Sequence, residues 1–354
     1  MKTTDFDFNL PNELIAQRPF ANKMQTPMLL FYNEKIYDKK LNDIVDYLQE
    51  GDVLVFNNAK VIKAKFSAQI QRNLAKLEVN LDQEYQGLED DKEFVIWQAL
   101  CKPAKKVLIG DILKISEDFF AEVINKNNDG FIKIKFNYSN QKLVEMLDKY
   151  GEIPLPPYIK RLEKNSDDEK NYQTIYAKEG NAVACPTAGL HFNQEIFDKI
   201  NTKKIIKVFV TLNVGAGTFL PVRSEFVKDH DMHQESFVID EKTCEIINNA
   251  KKNKNKIIAI GTTALRVLES VVNEKNQVEA KKSTTKIFIT PPYNFKIVDI
   301  LLTNFHLPKS TLFMLISAFV GKENAKKIYQ HAIEKKYRFF SYGDSSLLFR
   351  TKYH

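Results

Sequence analysis

The chain has 354 residues, 44% hydrophobic and 27% charged, with 52 basic and 45 acidic side chains giving a formal charge of +7. That length points to about two domains. The composition is ordinary for a globular protein and excludes collagen-like, wholly disordered and disulfide-scaffold chains.

At the N-terminus, Asn9 and Pro11 can open a short helix that ends near Pro19, and 28–32 then reads as a strand. Leu41, Ile44, Val45 and Leu48 recur at helical spacing, Gly51 is placed to end the turn, and 53–56 is a short buried strand. From about 61 to 137 the pattern changes to short β-rich pieces at 62–70, 77–81, 94–100, 112–115 and 131–136, separated by polar turns. Repeated strands at that pitch favour a small barrel or sandwich.

Leu143, Met146, Leu147 and Tyr150 form a helical stripe that leads into Ile153-Pro154-Leu155-Pro156-Pro157-Tyr158, a stiff extended connector and a domain boundary. The charges between Arg161 and Lys170 read as an exposed loop. Alternation of helix and strand then returns: strand 205–212, helix 241–250, strand 257–260, helix 263–272, strands 286–289 and 298–302, and helices within 310–336. Because both chain ends share this character, the expected architecture is an α/β domain built from 1–61 and 151–354. An antiparallel β-barrel domain of 62–150 is inserted into it.

The cysteines Cys101, Cys185 and Cys244 are odd in number and widely spaced, so they form neither a disulfide framework nor a recognisable zinc site. The first residues lack the basic and apolar regions of a signal peptide. The most apolar stretch, 311–320, lies between Lys309 and Lys322 and is too short to span a bilayer. These features predict a soluble, cytoplasmic protein with no membrane association.

Several segments bear residues that chemistry could use. In Val210-Thr211-Leu212-Asn213-Val214-Gly215-Ala216-Gly217-Thr218-Phe219, two glycines follow an apolar strand, which permits a tight turn and close approach of a ligand. The third glycine of a dinucleotide fingerprint is missing, and a lone G-x-G often marks only a turn. Ile258 to Arg266 reads as strand, tight turn and helix, bringing backbone N–H groups and the hydroxyls of Thr262 and Thr263 to a helix N-terminus suited to a carboxylate or phosphate. Ordinary threonine capping explains that segment equally well, and Arg266 is either a clamp or a surface ion pair. His191, His230, His233 and His306 are each able to act as a general base near neutral pH or to serve as hydrogen-bonded structural residues. His230 and His233 lack zincin spacing, so no metal site is expected. Cys185 reads as a small buried filler.

Together these blocks resemble one family, the S-adenosylmethionine:tRNA ribosyltransferase-isomerases of queuosine biosynthesis, over the whole chain. The resemblance rests on DFDFNLPNELIAQRP (5–19), GDVLVFNNAKVIKAKF (51–66), GEIPLPPYIKR (151–161), YQTIYAKEGNAVACPTAGLHF (172–192) and VTLNVGAGTFLPVR (210–223). It continues through MHQES (232–236), IGTTALRVLES (260–270), TPPYNFKIVDILLTNFHLPKSTLFMLISAFVG (290–321) and YRFFSYGDSSLL (337–348). The chain departs from the family pattern at 23–28, at Asn213, at Pro292 and around 75–78.

The resemblance implies an α/β domain carrying an inserted β-barrel. It also implies transfer and isomerisation of the ribosyl moiety of S-adenosylmethionine onto 7-aminomethyl-7-deazaguanine at the tRNA wobble position, giving epoxyqueuosine with release of adenine and methionine. No cofactor is implied, because S-adenosylmethionine is consumed as the ribosyl donor. At matching positions, His191 and His233 are expected to transfer protons, with Glu235 as orienter or alternate base. Gly215, Gly217 and Thr218 are expected to hold the nucleoside, Thr262, Thr263 and Arg266 the methionine carboxylate, and Asn304 and His306 either substrate. The expected partners are S-adenosylmethionine and tRNA carrying 7-aminomethyl-7-deazaguanine, and the expected state is a monomer.

For tRNA the residues themselves offer an electrostatic argument. Lys251–Lys256, Lys102/Lys105/Lys106 and Lys322/Lys326/Lys327 with Lys335/Lys336 form basic stretches able to bind phosphates without reading sequence. Only seven of the 52 basic residues are Arg, so coding bias accounts for the lysines equally well. Two rivals remain at this level. A methyltransferase would leave S-adenosylhomocysteine, and a non-catalytic RNA-binding protein would bind tRNA without consuming S-adenosylmethionine.

Overall fold

Four apolar runs, Ile206–Leu212, Val53–Asn57, Ile257–Ile260 and Ile300–Asn304, lie side by side as parallel strands at the centre of a nine-stranded sheet in the computed structural model. The structure describes residues 1–85, 94–127, 130–161, 167–219 and 222–351, without the side chains of Thr218 and Phe219. Strands buried on both faces need continuous apolar sequence, and here alternate residues serve two separate cores. Val53, Val55, Ile257 and Ala259 face one cluster, while Leu54, Phe56, Ile258 and Ile260 face the other. The first core is covered by helices Glu241–Lys252, Thr262–Ser270, Thr311–Val320 and Lys322–Glu334. The second is covered by helix Gln194–Thr202 and the 3-10 helix Leu41–Tyr47.

On one side the sheet continues through antiparallel Glu235–Ile239 and Lys281–Thr285, and on the other through Ser345–Phe349, Pro27–Tyr32 and Lys35–Lys40. Both chain ends therefore build one α/β sheet. The edge strand at 281–285 corrects the strand expected at 286–289. Its lysines and threonines give it no apolar signal, as befits an edge that must not pair with another chain. Ile289 is buried and packs into the core from irregular backbone. The opposite edge, Lys35–Lys40, was silent in the sequence for the same reason.

Six antiparallel strands, Lys65–Ile70, Lys76–Glu84, Val95–Lys102, Ile112–Lys114, Phe120–Lys126 and Phe131–Phe136, close into a barrel. Leu143, Met146 and Leu147 of helix Asn140–Tyr150 extend its core, as the helical stripe predicted. Val183 and Ala216 of the α/β part also join the barrel's apolar cluster, so the two parts share a packed seam.

Two further expectations need correction. The helix opened by Asn9 and Pro11 is only a 3-10 turn, Asn12–Leu14. The charged stretch 161–170 is not simply a solvated loop, although 162–166 lie outside the described residues. Arg161 makes a two-pronged ion pair to Asp168 at 2.7 and 2.8 Å, and Asp168 is buried. Paired charges can enter the interior where single ones cannot.

Candidate functional site

In open α/β sheets, ligands bind beyond the carboxyl ends of the parallel strands. Here strand Ile257–Ile260 runs into Gly261, whose φ of +88° suits glycine, and then into helix Thr262–Ser270. Strand Ile300–Asn304 runs into the turn that precedes Ser310, the cap of helix Thr311–Val320. Between these two exits opens a cavity of about 270 Å³, with Tyr158, Tyr172, Thr187, Val214, Phe340 and Ser341 among its walls. Thr262, Thr263, Arg266, Asn304 and His306, all picked out in the sequence, line it together.

Arg266 is buried and its Nη1 donates to Glu235 across the sheet, with both side chains about 5% exposed. Among the described residues its Nε and Nη2 have no hydrogen-bond partner, nor does the hydroxyl of Thr263. Nε and Nη2 form one edge of the guanidinium, the fork that matches a carboxylate or phosphate. Buried donors without acceptors are costly, and at the N-terminus of a helix beside a cavity they mark a place for an anionic oxygen pair. Among the described residues the phenol of Tyr172, fully buried in the same wall, likewise has no hydrogen-bond partner.

Asn304 ties the cavity to His191. Its Nδ2 donates to the carbonyl of Phe340 at 3.0 Å and lies 3.2 Å from His191 Nε2, while its Oδ1 accepts from Thr187 at 3.3 Å. A backbone carbonyl can only accept, which fixes the amide orientation. Nε2 of His191 is therefore an acceptor, and in the neutral ring the proton resides on Nδ1. Burial, then the nearby Lys23 and Arg338, push the His191 pKa down to about 3. His191 lines a separate small recess with Lys23, Arg338 and Tyr342 rather than the main cavity. His306 is also held neutral, its pKa lowered to about 3 by burial. Its backbone N–H donates to the Tyr329 hydroxyl at 3.1 Å, its Nδ1 lies 3.1 Å from the same oxygen, and its Nε2 lies 3.3 Å from Thr303 Oγ1.

His233 and the glycine-rich turn form a neighbouring group. Glu235, two residues beyond His233, connects this group to the cavity through Arg266. Gly215 and Gly217 are not cavity-lining residues. A Cβ on Gly217 would lie 2.8 Å from the His233 ring, and one on Gly215 would lie 2.7 Å from Asp82 Oδ1. The close approach that requires glycine here is made by protein side chains. Thr218 falls in the turn Ala216–Phe219, with its side chain outside the described residues.

Cys185 lines the cavity, and burial raises its pKa, keeping it a thiol. Tyr158, Tyr172 and Ser341 were not singled out in the sequence, because an aromatic ring or a serine in a loop carries no periodic signal. Tyr158 donates to or accepts from Ser341 at 2.6 Å, and burial raises its pKa to about 12. Of the basic stretches, Lys251 is turned onto the carbonyls of Lys296 and Ile297, whereas Lys252, Lys254, Lys326 and Lys327 are exposed. Among the described residues no three His, Cys, Asp or Glu side chains are grouped to hold a metal, and no helix is long and apolar enough to cross a membrane.

A family described as queuosine biosynthesis protein matches residues 3–348. A Rickettsia bellii protein, S-adenosylmethionine:tRNA ribosyltransferase-isomerase, is 48% identical over 355 residues, 99% of each chain. A Rickettsia felis protein of the same name is 45% identical over 380 residues, covering 99% of this chain and all of its own. The crystal structure of S-adenosylmethionine tRNA ribosyltransferase from Thermotoga maritima matches with a TM-score of 0.54 and 31% identity, over 97% of this chain and 99% of that one.

Proposed function

Because the chain belongs to the queuosine biosynthesis protein family, we propose that it is a transferase and isomerase that moves the ribosyl moiety of S-adenosylmethionine onto 7-aminomethyl-7-deazaguanine at the tRNA wobble position. The products are epoxyqueuosine-tRNA, adenine and methionine. The observation that carries this reading is the half-engaged guanidinium of Arg266. A cavity wall that offers an Nε–Nη2 fork and a threonine hydroxyl at a helix N-terminus, none of them partnered among the described residues, suits the carboxylate of an amino-acid-bearing substrate.

In the chemistry so assigned, the sulfonium acidifies the adjoining 5′-carbon, a base removes a proton there, and adenine leaves with its ring nitrogen protonated or hydrogen-bonded. His233 is the base. Glu235 orients Arg266, which with Thr262 and Thr263 holds the methionine carboxylate. His306, neutral and with both ring nitrogens engaged by Tyr329 and Thr303, shapes the cavity wall against which the substrate lies. His191 orients Asn304, since its Nε2 lone pair is already engaged. Gly217 gives space beside His233 rather than a donor, because its N–H is taken by Asp82. The barrel insertion spans 62–150 within an α/β part of 1–61 and 151–354. The protein works as a cytoplasmic monomer without metal or redox cofactor, and S-adenosylmethionine is consumed as substrate.

The test is incubation of the pure protein with S-adenosylmethionine and tRNA bearing 7-aminomethyl-7-deazaguanine, followed by mass spectrometry of small molecules and digested nucleosides. Adenine, methionine and a nucleoside of epoxyqueuosine mass, all dependent on the modified tRNA, are expected. S-adenosylhomocysteine would instead establish a methyltransferase, and tRNA binding without turnover a binding protein.

A further inference from the structure

The barrel reaches the His233 group through one buried carboxylate. Asp82 lies where the register of strand Lys76–Glu84 against Val95–Lys102 shifts, between Leu81 and Gln83. Such irregularities re-aim a side chain, and Asp82 is buried, with 4% of its surface exposed. Its Oδ1 accepts the N–H of Gly217 at 3.0 Å, and its Oδ2 accepts from Gln98 Nε2 at 2.9 Å. Among the described residues no Lys, Arg or His forms an ion pair with it. Among the described residues the carboxylate is therefore held by a barrel amide and the turn that it grips.

That turn lies directly against His233. The ring lies so close to Gly217 that a Cβ there would come within 2.8 Å of its carbons. Phe131, from barrel strand Phe131–Phe136, lies 6.3 Å from the same ring, centroid to centroid. Two contacts of His233 thus depend on the barrel, one directly and one through Asp82.

We propose that the inserted barrel is a working part of the catalytic site, with Asp82 as a positioning residue that fixes the Gly215–Gly217 turn and through it the imidazole of His233. This rests on the reading of His233 as the base. Positioning of a catalytic group acts on turnover, since a displacement of about 1 Å can cost on the order of 100-fold. A carboxylate that merely joined two domains would leave the ring's environment and kcat alone.

The test compares Asp82→Ala with Asp82→Asn in the full chain. Asparagine keeps an oxygen for the Gly217 N–H, whereas alanine removes it. Asp82→Ala is expected to lower kcat by about 100-fold while leaving the KM for S-adenosylmethionine and the affinity for tRNA unchanged, with Asp82→Asn restoring most of the rate. The His233 ring protons, assigned by NMR against His233→Ala, are expected to lose the ring-current shift from Phe131 in Asp82→Ala and to retain it in Asp82→Asn. An unchanged kcat and unchanged His233 resonances in Asp82→Ala overturn the proposal. If Asp82→Ala does not fold, Gln98→Ala, which removes the carboxylate's other support, is expected to give a smaller loss of kcat, and a normal kcat there overturns it. A His233→Ala enzyme with normal single-turnover rate refutes the base assignment instead, and the NMR comparison then decides whether Asp82 positions the ring.

Discussion

Arg266 gives Glu235 one terminal nitrogen, and among the described residues its Nε and Nη2 have no partner. The pair is buried on both sides, so the arginine's charge is compensated while its recognition edge stays open. Arg266→Lys retains the charge and loses the fork. With hydrogen bonds to charged groups worth about 1.5–3 kcal/mol each, the KM for S-adenosylmethionine should rise about 10- to 100-fold. The KM for tRNA should stay where it is. Steady-state kinetics in both substrates checks this, and an unchanged KM for S-adenosylmethionine places the carboxylate elsewhere.

Glu235 has the complementary role. Glu235→Leu leaves the guanidinium charged, buried and unpaired, and breaking a buried pair in this way costs about 3–5 kcal/mol. Denaturant unfolding should show that loss, and S-adenosylmethionine should recover part of it by binding only the folded state.

Glu269, which follows Arg266 on the same helix, has a structural task. Its Oε1 accepts the N–H groups of Ile297 and Val298 at 3.0 and 3.1 Å, and its Oε2 accepts that of Lys296 at 3.0 Å. One carboxylate thereby anchors the segment leading into strand Ile300–Asn304. In Glu269→Gln the amide nitrogen must face at least one N–H donor, leaving it unsatisfied, at a cost of about 1–3 kcal/mol. A lowered midpoint of thermal unfolding, with the KM for S-adenosylmethionine unchanged, is the expected result.

How much of this was readable beforehand depended on what each residue does locally. The central strands announced themselves because both faces are buried and most positions are apolar. The edge strands Lys35–Lys40 and Lys281–Thr285 did not, because their outer residues face water. Thr262, Thr263 and Arg266 could be picked out from strand, turn and helix in one segment. The partnership of Arg266 with Glu235, 31 positions away, could not, since it depends on how helix Thr262–Ser270 lies against the sheet. The two glycines of the G-x-G turn were visible as glycines, yet their reason, contact with Asp82 and His233, exists only once the barrel is folded onto the sheet.

Stability should carry the signature of the two buried neutral histidines. His191 and His306 both have pKa values lowered to about 3 by burial, against about 6.5 when unfolded. Below pH 6.5 the unfolded chain binds protons at these positions and the folded chain does not. Stability is therefore fully present above pH 6.5 and falls as the pH drops toward 3, at up to about 1.4 kcal/mol per pH unit for each ring. Substituting either histidine with Asn removes one proton from that balance. Each variant should be less stable than the parent at pH 7 and yet show a shallower decline between pH 6 and pH 4.5, with the double variant shallower still. Urea unfolding at a series of pH values measures the slope directly, and a slope equal to the parent's in His306→Asn would mean that His306 is protonated in the folded protein.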